Sequence, residues 1–405
     1  MRVCLIYDCL FPYTVGGGER WYRAVAERLA ADGHQVTYLT LRQWPRDEPP
    51  ALPGIAVIPV GPRLSLYVDG RRRVLPPIVF GAGVLWHLLR HRRSYDVVQT
   101  ASFPYFSLLA AGVLRWSGAA HYRLVVDWFE VWTRAYWREY IGRIGGTVGW
   151  AVQRLCTRIP QRAFCLSRLH ANRLRQEGYA GEVVVLGGIY DGDLSQPRPE
   201  PADPVVVFIG RHVPEKRVPA LIPAIALARR HLPELRGIIF GDGPDRVEVE
   251  RLIDSQGLNG IVDLPGFVDH TTLETALRRA LCLLQPSRRE GYGLVVVEAA
   301  AHGIPSIVVA GPDNAATELI VDGENGIIAS SASAPDLAAA IVRIWDAGPA
   351  LRTSTAEWFA REAPRRTLNA SLDMVAAAYG DRPAAGGPAP AQTRPAASAR
   401  LTDRP

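Results

Sequence analysis

Lysine is almost missing from this chain: of its 46 basic residues, only Lys216 is not an arginine. Cysteine is sparse as well. The five present (Cys4, Cys9, Cys156, Cys165 and Cys282) are odd in number, widely scattered and include no C-x-x-C pair, which excludes an encoded disulfide framework or zinc site and fits a reducing cytoplasm. No long apolar run opens the chain: Val3, Leu5 and Ile6 give way to Asp8, too early a charge for a signal peptide. The apolar segment from Ile78 to Leu89 covers twelve residues, too few to span a bilayer. What remains is ordinary: 48% hydrophobic and 21% charged residues describe a soluble globular protein, and 405 residues suffice for two domains.

Charge is unevenly placed. Residues 1–195 carry 24 Arg against 15 Asp and Glu, a net of +9, whereas the remainder sets 22 Arg and Lys against 25 acids, a net of −3. One half is therefore expected to face an anionic surface or substrate.

Short apolar runs alternate with amphipathic stretches throughout. Strands are predicted at Val3 to Tyr7, Gln35 to Thr40, Val97 to Gln99, Arg123 to Val126, Ala163 to Leu166 and Val183 to Leu186. A Gly-rich loop at Gly16 to Gly18 precedes a helix that carries Trp21, Val25 and Leu29 on one face. Four prolines between Asp191 and Pro204 mark a linker. The pattern restarts with strands at Val205 to Ile209, Gly237 to Phe240, Leu281 to Leu284 and Ile307 to Val309. This is the β-α-β order of parallel sheets. The expected division is an N-terminal α/β domain (1–195), a C-terminal one (196–380) whose last helices are candidates to pack back on the first, and a disordered Pro/Ala-rich tail (381–405). Two such domains facing each other would bind ligands in the cleft between the carboxyl ends of their strands.

The strongest motif is Gly210-Arg211-His212-Val213-Pro214-Glu215-Lys216-Arg217, directly after the first strand of the second domain. Arg211 and Lys216 place two cations near the expected amino end of a helix, a setting suited to a diphosphate. The retention of one lysine in a chain that otherwise uses arginine singles out Lys216, because a compact ammonium and a planar guanidinium are not interchangeable. A second motif, Glu290-Gly291-Tyr292-Gly293-Leu294-Val295-Val296-Val297-Glu298, sets one carboxylate before flexible glycines and another on the following helix. By spacing alone it is equally a capping acid and a solvated helix residue.

Together with Gly241-Asp242-Gly243-Pro244, His302-Gly303-Ile304-Pro305 and Asp322-Gly323-Glu324-Asn325-Gly326, these pieces resemble the donor-binding half of retaining glycosyltransferase family 4. That family has the GT-B architecture of two facing Rossmann-like domains. Gly16-Gly17-Gly18-Glu19 resembles its glycine loop. The resemblance implies that Arg211 and Lys216 bind the diphosphate of a nucleotide-sugar donor, that Glu290 meets the transferred sugar and that Glu298 holds the ribose. Gly17, Gly18, Gly210, Gly241, Gly243, Gly291, Tyr292, Gly293 and Leu294 are expected around the donor. It further implies net retention, with no metal and no cofactor beyond the donor.

Asp191-Gly192-Asp193 has the D-x-D form of a metal-holding triplet, but its place at the head of the linker reads as a turn. On the acceptor side, Asp127-Trp128-Phe129-Glu130-Val131-Trp132 follows a strand and precedes Tyr136, Trp137 and Tyr140. Relatives place a histidine in this region. None matches here, so Asp127 or Glu130 is the candidate for that polar role, against the alternative of an aromatic core with a capping acid. Arg71-Arg72-Arg73, apolar Ile78 to Leu89 and Arg90-His91-Arg92-Arg93 form either an interfacial element for an anionic membrane surface or a core helix with solvated ends.

The expected function is sugar transfer in the cytoplasm, peripheral on the inner membrane face, to a lipid-linked or cell-envelope saccharide. The alternatives are a soluble acceptor, a nucleotide-sugar epimerase of the same fold, or a non-catalytic binder of anionic polymers. No nucleic-acid module is recognised.

Overall fold

The computed structural model describes residues 1–14, 16–68, 71–195 and 199–380. The tail expectation over 381–405, the side chains of Arg71 and Arg72, and linker residues 196–198 lie outside what is described.

Two parallel sheets carry the fold. The first runs, in spatial order, Ile55–Gly61, Gln35–Leu41, Arg2–Ile6, Val97–Ala101, Arg123–Asp127, Arg162–Cys165 and Val183–Val185. The second runs Val262–Gly266, Arg236–Phe240, Val205–Ile209, Cys282–Gln285, Ser306–Val309 and Gly326–Ala329. In each, the order reverses beside the first strand of the domain, which opens a crevice at the carboxyl ends. The central strands are mostly apolar and buried on both faces, as parallel sheets require.

Three strands of these two sheets escaped the sequence pattern, and all three are sheet edges. Ile55–Gly61 and Val262–Gly266 contain Pro59 and Pro265, and Gly326–Ala329 begins with glycine. Proline is tolerated there because an edge leaves one row of backbone groups unpaired. The helix expected straight after Gly210 is also delayed. Turns of 3₁₀ type at Pro214–Lys216 and Val218–Ala220 precede the α-helix Leu221–Ala228. Pro214 and Pro219 lack an N–H, and Arg217 between them adopts φ 52°. Lys216 thus stands on a single tight turn and not at the amino end of an α-helix.

The chain crosses between domains twice. After the second sheet, the kinked helix Ala334–Glu362 leads to a return segment, where Tyr190 N donates to Arg366 O at 3.1 Å and Leu368 N to Tyr190 O at 2.7 Å. The last helix, Leu368–Gly380, then lies on the first domain: Arg28 pairs with Asp373 at 2.6 Å and the Tyr379 hydroxyl bonds Gln99.

On the opposite face of the first sheet, the helix Leu75–Arg90 packs so closely that a Cβ on Gly83 would stand 1.8 Å from the Val60 carbonyl oxygen. Gly83→Ala should therefore push helix and strand apart and lower stability by about 1–3 kcal/mol. Urea unfolding checks this; an unchanged midpoint would mean the helix is not seated that closely.

Candidate functional site

A cleft of about 600 Å³ lies between the carboxyl ends of the two sheets. The first domain lines it with residues 16–19, Tyr7, Phe129, Glu130 and Trp132, and the second with Arg211 and residues 291–294. Two glycines are required by geometry. A Cβ on Gly18 would lie 2.4 Å from the Tyr7 hydroxyl, and Gly293 combines φ 99° with a would-be Cβ 2.7 Å from Ala316.

Against this cleft sit two cations, half-buried Lys216 and buried Arg289, each held by a carboxylate. Lys216 Nζ is 2.5 Å from Glu290 Oε1, which also accepts from Ser287 Oγ at 2.8 Å. The neighbouring Arg289 crosses to the other domain and pairs with Glu130, while its guanidinium lies over the rings of Tyr136 (3.6 Å) and Trp132 (4.7 Å). Trp132 Nε1 donates to the same Glu130 carboxylate at 2.9 Å. Burial pushes Glu130 up, but Arg289, His170, the Trp132 N–H and Lys216 together outweigh it and hold the carboxyl below its usual range. Further pairs close the cleft: Tyr136 donates to Glu215 at 2.8 Å, Arg288 meets Glu139 at 2.7 Å, and Arg173 meets Asp313 at 2.6 Å. Glu318 of the second domain accepts the Arg168 and Leu169 N–H groups, capping a helix of the first.

The geometry thus gathers Gly17, Gly18, Glu130, Arg211 and residues 291–294 around one cleft, with Lys216 and Glu290 paired beside it. Other expected residues stand elsewhere. Gly241 and Gly243 let their loop approach the backbone of Gly210 and His212, where a Cβ would lie 2.0 and 2.4 Å from carbonyl oxygens; none of these glycines lines the cleft. Glu298, on Leu294–Ala300, is half-buried, and burial raises its carboxyl while Arg20 opposes the rise. Asp193 caps its own turn, accepting from Ser195 N and Oγ at 2.9 and 2.6 Å.

Asp127 is not brought to the cleft. It is buried in the first domain, where Gln99 donates to it at 2.7 Å, and burial pushes its pKa up to about 6 against hydrogen bonds from Tyr22, Gln99 and Trp21. A histidine does meet this segment, but from far downstream: His170, buried, accepts the Val131 N–H on Nδ1 at 3.1 Å. Burial lowers it to about 4, so the ring is neutral. Arg289 and His170 carried no signal in sequence, one being an arginine among many and the other lying thirty residues past the end of the aromatic cluster at Tyr140.

Comparison with known proteins agrees with this geometry. The family profile described as "Glycosyltransferase Family 4" matches residues 15–191, and that described as "Glycosyl transferases group 1" matches residues 193–357. Between them they cover both domains. The chain belongs to glycosyltransferase family 4, with the GT-B fold.

Among relatives, it is 34% identical over 177 residues to an alpha-D-kanosaminyltransferase of Streptomyces kanamyceticus, covering 44% of this chain and 45% of that one. It is 33% identical over 123 residues to the alpha-monoglucosyldiacylglycerol synthase of Acholeplasma laidlawii, covering 30% of each. The chain thus matches less than half the length of these relatives. Among solved structures, a sucrose-phosphate synthase from Thermosynechococcus elongatus superposes with a TM-score of 0.77 at 20% identity, covering 93% of this chain and 98% of that one. An Anabaena protein, HepE, in complex with UDP-glucose gives 0.70 at 18% identity, covering 93% and 99%.

The Asp127 environment makes a prediction. Its folded pKa lies above the unfolded value of about 3.9. The stability linked to its protonated form is therefore full below about pH 4 and lost as pH rises through the folded value. Asp127→Asn should remove that slope and raise stability near pH 7.5 by roughly 2–3 kcal/mol while leaving transfer near wild type. Melting curves across pH and a transfer assay check both. A large loss of transfer in a stable variant would return Asp127 to the chemistry.

Proposed function

We propose that this chain is a retaining, metal-independent glycosyltransferase that moves a sugar from a nucleoside diphosphate to an acceptor hydroxyl. The observation that carries the proposal is the half-buried Lys216–Glu290 pair beside a cleft lined by Arg211 and the glycine loop. Lys216 and Arg211 would neutralise the diphosphate as it gains charge on leaving. Glu290, fixed by Lys216 and Ser287, would hold the sugar hydroxyls, and Glu298 the ribose. As the anomeric carbon–oxygen bond to phosphate breaks, the acceptor oxygen bonds the same face of that carbon, and its proton passes to the departing phosphate oxygen. Glu130, committed to Arg289, contributes a fixed negative charge and no free base. Closure of the two domains would keep water from the donor.

The names of both relatives carry α-configured transfer, the outcome that retention gives from an α-linked donor. The diacylglycerol synthase and the basic first domain favour a lipid-linked or cell-envelope saccharide as acceptor. HepE, solved with UDP-glucose bound, is a reason to try a uridine diphosphate donor first.

A thermal-shift panel of UDP, GDP, ADP and TDP with EDTA or Mg²⁺ tests the donor. One nucleotide should raise the melting temperature equally in both; a strict Mg²⁺ requirement would restore a metal role to Asp191 and Asp193. Lys216→Arg should keep the charge yet lower transfer at least about tenfold, equivalent to about 1.4 kcal/mol. Full activity in that variant would leave the phosphate to Arg211 alone.

A further inference from the structure

Three helices cover the face of the first sheet opposite the last helix: Leu75–Arg90 packs on Phe106–Trp116, which packs on Arg134–Thr157. Their inner sides fill the core with Phe80, Val84, Leu108 and Trp137. Their outer sides should be polar if water were the only neighbour. They are not. Trp86 is 64% exposed, Val113 53%, Trp116 68%, Ile144 84% and Val148 59%. Of the nineteen exposed large hydrophobic residues among those described, eleven fall between Val74 and Leu155.

Charge on the same segment has one sign. Residues 71–158 hold thirteen Arg and four acids, a net of +9, which accounts for the whole excess of the first domain. None of the four acids is left to balance the outer surface. Asp96 holds Arg2 at 2.9 Å, Asp127 is buried, Glu130 is paired with Arg289, and Glu139 holds Arg288 at 2.7 Å. Meanwhile Arg73, Arg90, Arg92, Arg93 and Arg143 are exposed, and Arg90 lies 5.5 Å from the Trp86 ring.

We infer that the outer face of these three helices docks on an anionic lipid bilayer. Exposed tryptophans among arginines suit the headgroup region, where a ring can enter the acyl boundary while guanidinium groups meet phosphate. Binding of this kind draws on apolar burial and on charge together, and both are present. A second copy of the chain fits less well, since a two-fold contact through this face would set arginine against arginine. No helix among the described residues is long and apolar enough to cross the membrane, so docking is at the surface. The inference rests on the proposed transfer reaction for its consequence: the third helix begins beside the cleft, where Tyr136 bonds Glu215, so an acceptor carried by a lipid would be held beside the site.

Co-sedimentation of the full chain with vesicles tests this, using phosphatidylcholine alone or mixed with phosphatidylglycerol. Binding should need the anionic lipid and weaken with added salt. Trp86→Ser/Trp116→Ser and Arg90→Gln/Arg92→Gln/Arg93→Gln should each weaken partition at least about tenfold, while both keep the nucleotide-induced thermal shift that reports an intact fold and cleft. Equal binding to both vesicles, no binding, or variants that bind like wild type would overturn the inference. So would a dimer in sedimentation velocity that Trp86→Ser/Trp116→Ser dissolves, which would assign the face to a second copy. Anionic-lipid binding without any nucleotide shift would support this face and count against the proposed function alone.

Discussion

Charge drawn out of water must be compensated, and at the centre of this molecule two neighbouring cations are each set against a carboxylate. Lys216 is held by Glu290 within the second domain, and Arg289 by Glu130 across the cleft. Left unpaired, the buried Arg289 guanidinium would cost several kcal/mol. The pairing therefore fixes where the loops after Val205–Ile209 and Cys282–Gln285 can go, and it ties the aromatic segment of the first domain to the second. The stacking of Arg289 on Tyr136 and Trp132 uses the planar face of a guanidinium, which lysine could not supply. Conversely, the compact ammonium of Lys216 sits on a 3₁₀ turn bounded by Pro214 and an αL residue, where reach is limited.

The rest of the structure holds these pairs in register. The two crevices face each other because the chain returns from the second domain and lays Leu368–Gly380 on the first, locked by Arg28–Asp373 and the Tyr379–Gln99 bond. Glu318 capping Arg168–Gln176 and Arg173 reaching Asp313 add polar contacts on the other side of the cleft. These directional pairs give the interface a defined geometry, alongside a hydrophobic cluster that both domains share, with Leu166 and Leu186 from the first and Tyr292 and Phe359 from the second.

Much of this was legible in sequence, and the reasons are physical. Central strands such as Val205–Ile209 announce themselves because burial on both faces demands unbroken apolar runs. Edge strands such as Val262–Gly266 did not, because partial exposure relaxes that demand and admits proline. Lys216 stood out against a background of arginine, whereas Arg289 was hidden by that same background. Asp127 and Glu130 looked equivalent on paper, three residues apart after one strand. Only the fold separates them: Asp127 ends its strand inside the core with Gln99, while Glu130 turns out to the cleft to meet a cation contributed from 159 residues further on. Long-range partners of this kind leave no local pattern.

The central claim is that Lys216 and Arg211 serve the diphosphate of the donor. Titration calorimetry of one nucleoside diphosphate against its parent nucleoside, in the wild type and in Lys216→Ala and Arg211→Ala, isolates that contribution. The account predicts that the diphosphate binds far more tightly than the nucleoside in the wild type, and that each substitution narrows the gap while leaving nucleoside affinity unchanged. An undiminished gap in both variants would contradict it.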